Sequence, residues 1–414
     1  MTRPVGIVNA TIYDPVAGTA VRGGVLVANR RLVAVGDVQV PQGAQRFDAR
    51  GGIVAPGLVD LGVFAIDFPA FAAGGITRVG LMPDQSPPLD DPALVARAAA
   101  AGKPDVWVHP LAAATRGLAG RELGEIGLMH RAGAVAVATG RGWIADSGVM
   151  LRLLAYARTF DLTVIAHAED GGLTDGAVAT ASETATRLGL PAAPAAAEAM
   201  AVARDIALVA ETGARLHFRQ LTTAAAFAQV RAAKARGLSV SCGISPAHLL
   251  LSETAIGDFR TFARLSPPLR AERDRLAAIE AVRDGTIDVI TSSHDPLGPD
   301  AKRLPFEDAE PGAAGAETLL PLALTLVRDG VISMMRLFEM TCATPARLLG
   351  LPVAQLQSGG DADLILLDPD APWRIDADRM SARAGNTPFD GLPVQGRVRL
   401  TIKGGDIVGG TDAG

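Results

Sequence analysis

Eight short apolar runs, rich in β-branched residues, recur through the middle of this 414-residue sequence and are separated by stretches of helical character. The run 162–167, for example, is followed by polar residues, and 272–283 has the apolar spacing of an amphipathic helix. Runs that are apolar on both faces are typical of parallel strands covered by helices. Eight strand–helix units favour an α/β fold of the TIM (β/α)8 barrel type over an open doubly wound sheet. The predicted barrel strands are 53–64, 76–82, 106–113, 134–138, 162–168, 214–220, 238–244 and 287–292.

The two ends of the chain carry a different pattern, in which β-type runs alternate with turns. The run 5–13 stops at Asp14-Pro15, and 397–403 is again of β type. Because such segments flank the barrel on both sides, we expect them to combine into one small β-sandwich domain. The predicted division assigns 1–52 and 351–414 to this composite domain and 53–350 to the barrel.

Composition excludes several classes of protein. The formal net charge of −5 lacks the basic excess of a nucleic-acid-binding protein. No run approaches the roughly 18 uninterrupted apolar residues of a membrane span, and no secretory signal is visible at the N-terminus. Cys242 and Cys342 are far apart and lack metal-binding spacing, which favours two buried reduced thiols. We therefore expect a cytoplasmic protein without a nucleic-acid or membrane partner.

A series of short motifs follows along the predicted barrel in a fixed order. They are Ile53-Val-Ala-Pro-Gly-Leu-Val-Asp60, Ala73-Gly-Gly-Ile-Thr77, Met82-Pro83, His167-Ala-Glu-Asp170, Ser245-Pro-Ala-His-Leu-Leu-Leu251, Ser266-Pro-Pro-Leu-Arg270, Asp288-Val-Ile-Thr-Ser-Ser-His294, Lys302-Arg-Leu-Pro-Phe306 and Gly312-Ala-Ala-Gly-Ala-Glu317. In this order the motifs resemble those of dihydroorotases, the cyclic amidohydrolases of pyrimidine synthesis, over nearly the whole chain. The resemblance implies a metal-dependent-hydrolase-like barrel.

The positions that the resemblance assigns to metal ligands are mostly replaced. The family's His-x-His pair after the first strand is Gly62 and Phe64 here, and a histidine of the sixth-strand motif is Gln220. The eighth-strand aspartate, which is ligand and general base in the family, is Ser293. No acid or lysine for a bridging ligand occurs near 137–140. The vestigial catalytic positions are thus Gly62, Phe64, His167, Gln220, Ser293 and His294, of which only His167 keeps a metal-ligand position.

Positions that contact the substrate in the family also differ. Asp84 and Ser266 stand in place of asparagines, and Leu297 stands in place of a histidine. The segment 65–75 is too short to carry the arginine that binds the substrate carboxylate in the family. The predicted remnant of the substrate pocket is Asp84, His217, Arg219, Ser266 and Leu297.

These replacements remove the chemistry of a two-metal hydrolase. Such a site needs several ligands to lower the pKa of a metal-bound water, and a base within hydrogen-bond reach of that water. Glycine and phenylalanine donate no ligand, and the hydroxyl of Ser293 is too weak a base at neutral pH. We therefore expect no metal, no other cofactor and no catalytic residue. Some non-catalytic dihydroorotase-like chains accompany aspartate transcarbamoylase, so the resemblance implies that partnership, together with a homodimer.

One alternative is a divergent amidohydrolase that acts on dihydroorotate or a related small ring. It would use a rebuilt site around His167, His294 and Asp295, because a His/Asp pair at a barrel-strand end is placed for acid–base work. Zinc is expected only in this alternative.

A second alternative is a non-catalytic small-molecule binding module. His217, Arg219 and Gln220 would then hold a small anion in the old pocket. Against this stands the expectation that Phe64 and Trp143 fill the vacated site and convert it into packed core.

Overall fold

Eighteen strands in three sheets form the β-structure of the computed structural model, which describes residues 3–412. They are β1 (Val5–Asp14), β2 (Thr19–Ala28), β3 (Arg31–Gly36), β4 (Gln45–Asp48), β5 (Ile53–Pro56), β6 (Leu58–Val63), β7 (Ile76–Leu81), β8 (Trp107–Ala113), β9 (Ala136–Ala138), β10 (Val164–Ala166), β11 (Ala179–Thr180), β12 (Ala192–Ala193), β13 (Leu216–Phe218), β14 (Val240–Ile244), β15 (Val289–Ile290), β16 (Leu364–Arg374), β17 (Pro393–Lys403) and β18 (Asp406–Gly409).

Fourteen α-helices lie between the strands of this same part of the chain. They are α1 (Phe68–Gly74), α2 (Pro92–Ala101), α3 (Ile126–Arg131), α4 (Ser147–Thr159), α5 (Gly171–Thr174), α6 (Glu183–Leu188), α7 (Ala196–Thr212), α8 (Ala224–Ala235), α9 (Pro246–Leu250), α10 (Glu272–Arg283), α11 (Pro299–Lys302), α12 (Leu319–Arg328), α13 (Met334–Phe338) and α14 (Thr344–Leu348). Short 3-10 turns occur at Arg116–Leu118, Glu253–Ile256, Thr261–Ala263 and Ala377–Arg379, and a π-helical turn at Glu339–Ala343.

Both ends of the chain contribute to one eight-stranded sheet. Its order is β18-β17-β16-β5-β1-β2-β3, and β4 pairs with β1 beside β5. The C-terminal strand β16 lies antiparallel to both β5 and β17, so it joins the two ends of the sequence. The predicted composite β unit is therefore confirmed, as one sheet with its own apolar core that includes Ile7, Val25 and Leu364.

The eight barrel strands run parallel in the order β6-β7-β8-β9-β10-β13-β14-β15, and each lies within one of the eight predicted strands. The predicted TIM barrel is confirmed. At the carboxyl ends the first and last strands meet, because the Phe64 amide donates to the His294 carbonyl oxygen at 2.9 Å. The buried carboxylate of Asp60 adds to this closure by accepting hydrogen bonds from Thr291 Oγ1 at 2.7 Å and from the Ser292 amide at 3.0 Å.

The predicted strand 53–64 is divided at Gly57. Its first part, β5, pairs with β1 and β16 of the terminal sheet, and only its second part, β6, belongs to the barrel. A Cβ on Gly57 would lie 2.3 Å from Thr77 side-chain atoms, so the chain passes β7 here at a distance that only glycine permits. The domain boundaries themselves stay a prediction.

The first strand–helix unit is the shortest, as expected from the 11-residue spacing between its strands. The seven-residue α1 ends at Gly75, whose φ of 78° is left-handed and reverses the chain directly into β7. Across residues 3–412, no helix combines the length and the apolar character that crossing a membrane requires.

Candidate functional site

A small cavity, with about 50 Å³ open to the centre of a water molecule, lies at the carboxyl ends of the barrel strands. This is the end of a TIM barrel at which binding sites are built. Its polar wall includes Arg141, Arg219, Gln220 and Ser293, and Phe64 lies beside them. The lining also includes Ser266 and Asp295, so six of the predicted positions meet here. Arg141 was not among the predicted positions.

Arg219 lies next to Gly62 and Phe64, the two positions at which the family has its His-x-His pair. Gly62, at the end of β6, has a φ of 97°, and a Cβ built on it would lie 3.3 Å from Arg219 Cδ. Phe64 is 8% exposed and packs with the apolar interior of the barrel. The Arg141 guanidinium carbon lies 3.8 Å from the centre of the Phe64 ring, and that of Arg219 lies 5.1 Å from it. Two cations thus stack near one aromatic ring at the place where the family has imidazoles.

Gln220 and Ser293 hydrogen-bond to each other. Ser293 Oγ donates to Gln220 Oε1 at 2.8 Å, and Gln220 Nε2 donates to His248 Nδ1 at 2.6 Å. His248 Nε2 in turn donates to the Pro267 carbonyl oxygen at 2.9 Å. Burial lowers the pKa of His248 to about 4, so this ring is neutral at physiological pH. The chain is a closed neutral network with no group that is free to act as a base.

His167 belongs to a buried ionic network behind the cavity. Its Nε2 lies 3.3 Å from Glu169 Oε2, and Glu169 Oε1 accepts a hydrogen bond from Arg270 Nη2 at 2.6 Å. Arg270 Nη2 also lies 3.6 Å from the fully buried Glu198. Burial raises the pKa of Glu169, but the hydrogen bond and charge of His167 and the Arg270 cation outweigh it and hold that pKa at about 2. These contacts give His167 a structural partner.

His294 is occupied on both ring nitrogens. Its Nδ1 accepts a hydrogen bond from the Ala316 amide at 3.2 Å, which places the ring proton on Nε2, 3.2 Å from Asp67 Oδ2. Burial raises the pKa of Asp67, whereas the hydrogen bonds from His294 and the Arg383 amide lower it by more. No hydrogen bond or ion pair within residues 3–412 joins His167, His294 and Asp295 to one another. The ring of His294 therefore fixes the barrel end and offers no lone pair to a ligand.

Arg141 is the residue of the cavity that sequence reasoning missed. It lies three residues after the end of β9, close to the segment where the family has an acidic bridging ligand. Arg141 Nη2 forms an ion pair with Asp295 Oδ2 at 2.7 Å, and its amide donates to Asp84 Oδ1 at 2.8 Å. The signal that could have found Arg141 is its position at the carboxyl end of a barrel strand.

The other predicted pocket residues lie apart. His217 is inside the barrel, where its Nδ1 is 2.9 Å from Ser241 Oγ and burial lowers its pKa to about 3. The amide of Leu297 donates to Asn386 Oδ1 at 3.0 Å, away from the cavity lining. Trp143 stacks against Arg204 at 3.9 Å instead of entering the cavity. Of the two aromatic residues expected to fill the vacated site, only Phe64 reaches it.

With this geometry in view, comparisons with known proteins decide the family. A profile of the amidohydrolase family matches residues 66–408. The chain belongs to the amidohydrolase family. A dihydroorotase of Syntrophotalea carbinolica is 38% identical over 97% of this chain and 98% of its own length. A dihydroorotase-like protein of Pseudomonas aeruginosa is also 38% identical, over 97% and 99%. The structure of L-hydantoinase (dihydropyrimidinase) from Arthrobacter aurescens superposes with a TM-score of 0.86 at 25% identity, covering 99% of this chain and 96% of that one.

The metal centre that the amidohydrolase resemblance implies does not fit the residues present. Within residues 3–412, no group of three or more His, Cys, Asp or Glu side chains is arranged to hold a metal ion. Gly62 and Phe64 supply no donor atom, and the Gln220 amide and Ser293 hydroxyl are already hydrogen-bonded to each other. No catalytic step through a metal follows from this site.

Restoring the lost histidine pair is expected not to restore a metal centre. In a variant with Gly62→His and Phe64→His, the new side chain at 62 meets Arg219 and has a left-handed backbone, while Gln220 and Ser293 remain. We expect the zinc content, measured by mass spectrometry after dialysis against zinc, to stay far below one ion per chain. The single variant Phe64→His avoids the strained position and serves as a control for folding. One tightly held zinc per chain in the double variant would contradict this prediction.

Proposed function

We propose that this amidohydrolase-family chain is a catalytically silent dihydroorotase-like protein of pyrimidine biosynthesis. The observation that carries the proposal is that four positions of the catalytic centre are replaced together by groups that pack or bond with one another. Arg219 covers Gly62 and stacks near Phe64, and Ser293 is bound to Gln220. A single lost ligand could be replaced by a neighbour, but here the neighbours are cations and neutral amides. Amide-ring hydrolysis needs a polarised water and a base, and the one carboxylate in the described cavity lining, Asp295, is held in an ion pair with Arg141.

The role proposed for a silent chain is that of a structural partner of aspartate transcarbamoylase in the cytoplasm. Support comes from the resemblance to non-catalytic dihydroorotase-like chains that accompany that enzyme, and from 38% identity to a protein described as dihydroorotase-like. The barrel and the terminal sheet are retained in full, as a scaffold with docking loops requires. A homodimer is proposed with it, since closed two-fold assemblies are the commonest oligomers.

Two measurements test these proposals separately. For silence, the full chain is assayed for ring opening of dihydroorotate and for the reverse ring closure of carbamoyl aspartate, with and without added zinc. We expect no turnover above that of buffer, and no stoichiometric zinc in protein purified without added metal. Turnover that is lost on chelation would overturn the proposal and favour the divergent hydrolase.

For partnership, the full chain and the aspartate transcarbamoylase of the same source are mixed at micromolar concentrations and separated by size exclusion with light scattering. We expect one complex of larger mass than either protein run alone, and a dimer for this chain alone. Separate elution of the two proteins would contradict the partnership while leaving the proposed silence untouched.

The divergent hydrolase built on His167, His294 and Asp295 stays a prediction that no contact supports. Both nitrogens of His294 are engaged, and His167 is bound to Glu169. Of the three, only Asp295 reaches the cavity, where it is paired with Arg141.

A further inference from the structure

Arg219 is a buried cation that forms no ion pair within 4 Å in residues 3–412. The residue is 3% exposed, and its buried Nε has no hydrogen-bond partner within residues 3–412. The ion pairs of this part of the chain include Arg141 and Asp295 but none formed by Arg219. Burial and the nearby Arg141 lower the pKa of Arg219 to about 10, so it is still charged at neutral pH. A buried charge is retained in proteins when a partner compensates it.

The guanidinium of Arg219 reaches the cavity at the barrel mouth. The space open to the centre of a water molecule is about 50 Å³, which is enough for a small group such as a carboxylate or phosphate. Part of its wall is apolar and includes Leu265, Pro311 and Phe389, whereas the Arg219 side is polar. An apolar wall opposite one fixed charge is the usual composition of a site for a small ligand with one charged group.

Among the described charged residues that line the cavity, Arg219 is the one without an ion pair. Among the charged lining residues, Arg141 and Asp295 neutralise each other through their ion pair. Asp84 accepts a hydrogen bond from the Arg141 amide through Oδ1. The charges of Asp84, Asp295 and Glu169 act on Arg219 without a direct ion pair, since they oppose the lowering of its pKa. Phe64 holds both guanidinium groups near its ring, which restricts the orientation of Arg219 before any ligand arrives.

We propose that Arg219 binds the oxyanion group of a small ligand, a carboxylate or a phosphate, in this cavity. A planar guanidinium matches such a group with two parallel N–H···O bonds, and the apolar wall covers the rest of the molecule. The site lies where the amidohydrolase resemblance places a metal, so an arginine guanidinium takes the place of a metal ion as the positively charged group. The inference goes beyond the proposed function and does not depend on the transcarbamoylase partnership.

The test measures thermal unfolding of the full chain in a chloride buffer of constant ionic strength while one anion is raised. One arm uses inorganic phosphate, and the other uses carboxylates of increasing size, from acetate to succinate and dihydroorotate. We expect a saturable rise of the melting temperature in at least one arm, because a ligand that binds the native state stabilises it. A shift only with phosphate assigns a phosphate ligand, and a shift only with carboxylates assigns a carboxylate ligand.

Variants locate the effect. Arg219→Met removes the charge with little loss of volume and is expected to weaken anion binding by about 10- to 100-fold. Arg283→Met, which removes an exposed arginine of α10, is the matched control and is expected to bind like the wild type. Without anion, Arg219→Met is expected to unfold at the same or a higher urea concentration, since it removes a buried charge that forms no direct ion pair. An arginine with a purely structural role would give the opposite sign.

Two outcomes would overturn the proposal. One is a wild-type protein in which no anion of either arm gives a saturable shift, and this result needs no variant. The other is an equal shift in wild type and in Arg219→Met, which would reveal a general salt effect. Arg219→Gln is a second neutral variant for use where the methionine variant does not fold.

Discussion

Replacing Arg270 by methionine is expected to lower the free energy of unfolding by about 3–5 kcal/mol. Arg270 is 3% exposed and lies between two buried carboxylates, Glu169 at 2.6 Å and Glu198 at 3.6 Å. Its Nε also donates to Thr222 Oγ1 at 2.8 Å, and its Nη1 to Thr180 Oγ1 at 3.2 Å. Methionine fills the volume but leaves both carboxylates without their cation in a medium of low polarity, which is the source of the cost.

The measurement is urea unfolding at pH 7, with Arg283→Met as the control. The Arg283–Glu280 pair joins side chains that are 47% and 62% exposed, so its loss is expected to cost less than about 1 kcal/mol. A second variant, Arg270→Met with Glu169→Gln, removes one of the stranded charges and is expected to recover part of the loss. A cost below about 1 kcal/mol for Arg270→Met would show that water reaches this network and that the prediction is wrong.

The barrel strands were the part of the fold that the sequence predicted best. Each is a continuous apolar run because helices or the barrel interior cover both faces, and such runs do not depend on distant partners. The division at Gly57 was not predicted, since 53–56 and 58–63 are equally apolar. What separates them is the pairing of β5 with β16, more than 300 residues later in the sequence. A partner so distant leaves no local signal.

The sequence predicted which metal ligands and catalytic groups are missing from the candidate site, but only partly which contacts take their place. That Gly62 and Phe64 cannot bind a metal follows directly from their residue types, because neither side chain has a donor atom. The new contacts depend on the direction of each side chain: the binding-module alternative groups His217, Arg219 and Gln220, but His217 bonds to Ser241 and Gln220 to His248. Arg141 lies on a different strand end and still approaches the same ring as Arg219. Such convergence on a barrel mouth is a property of the closed fold and not of sequence spacing.

These observations are connected by the replacement of a metal ion by arginine as the positively charged group of the site. In a metal-dependent site a divalent cation attracts the anionic group of a substrate and activates water. Here Arg141 and Arg219 supply positive charge at the same end of the barrel, but a guanidinium keeps its protons at neutral pH and cannot activate water. The proposed recognition of an anion and the proposed loss of hydrolysis are therefore compatible with each other.

Mild acid is expected to destabilise the protein through its buried histidines. Burial lowers the pKa of His217 to about 3, and burial lowers the pKa values of His109 and His248 to about 4. In the unfolded chain a histidine titrates near pH 6.5. Below that pH these histidines are protonated in the unfolded state but stay neutral in the native state. The stabilising effect is thus complete above about pH 6.5 and is lost as the pH falls toward the native values.

The buried acid Asp205 works in the opposite direction. Burial raises the pKa of Asp205 to about 6 in spite of its ion pair with Arg204. Between about pH 6 and its unfolded value near 4, the native state binds a proton at Asp205 that the unfolded state does not, which stabilises the fold as pH falls. Glu169, with its pKa held at about 2, begins to contribute to acid unfolding only below about pH 4.5. The three histidines that destabilise the fold between pH 6 and 5 are therefore opposed by Asp205, and also by Glu317, whose pKa is raised by burial.

The expected net result is a loss of about 2–3 kcal/mol in the free energy of unfolding between pH 6 and pH 5, since each group contributes about 1.4 kcal/mol per pH unit. Urea unfolding at closely spaced pH values measures this slope. His248→Gln, which removes one of the three titrating rings, is expected to flatten the slope by about 1 kcal/mol per pH unit. Asp205→Asn is expected to steepen it by a similar amount, because the compensating proton is lost. A slope that is unchanged in both variants would mean that these groups are hydrated in the native state, and that the acid response arises elsewhere in the chain.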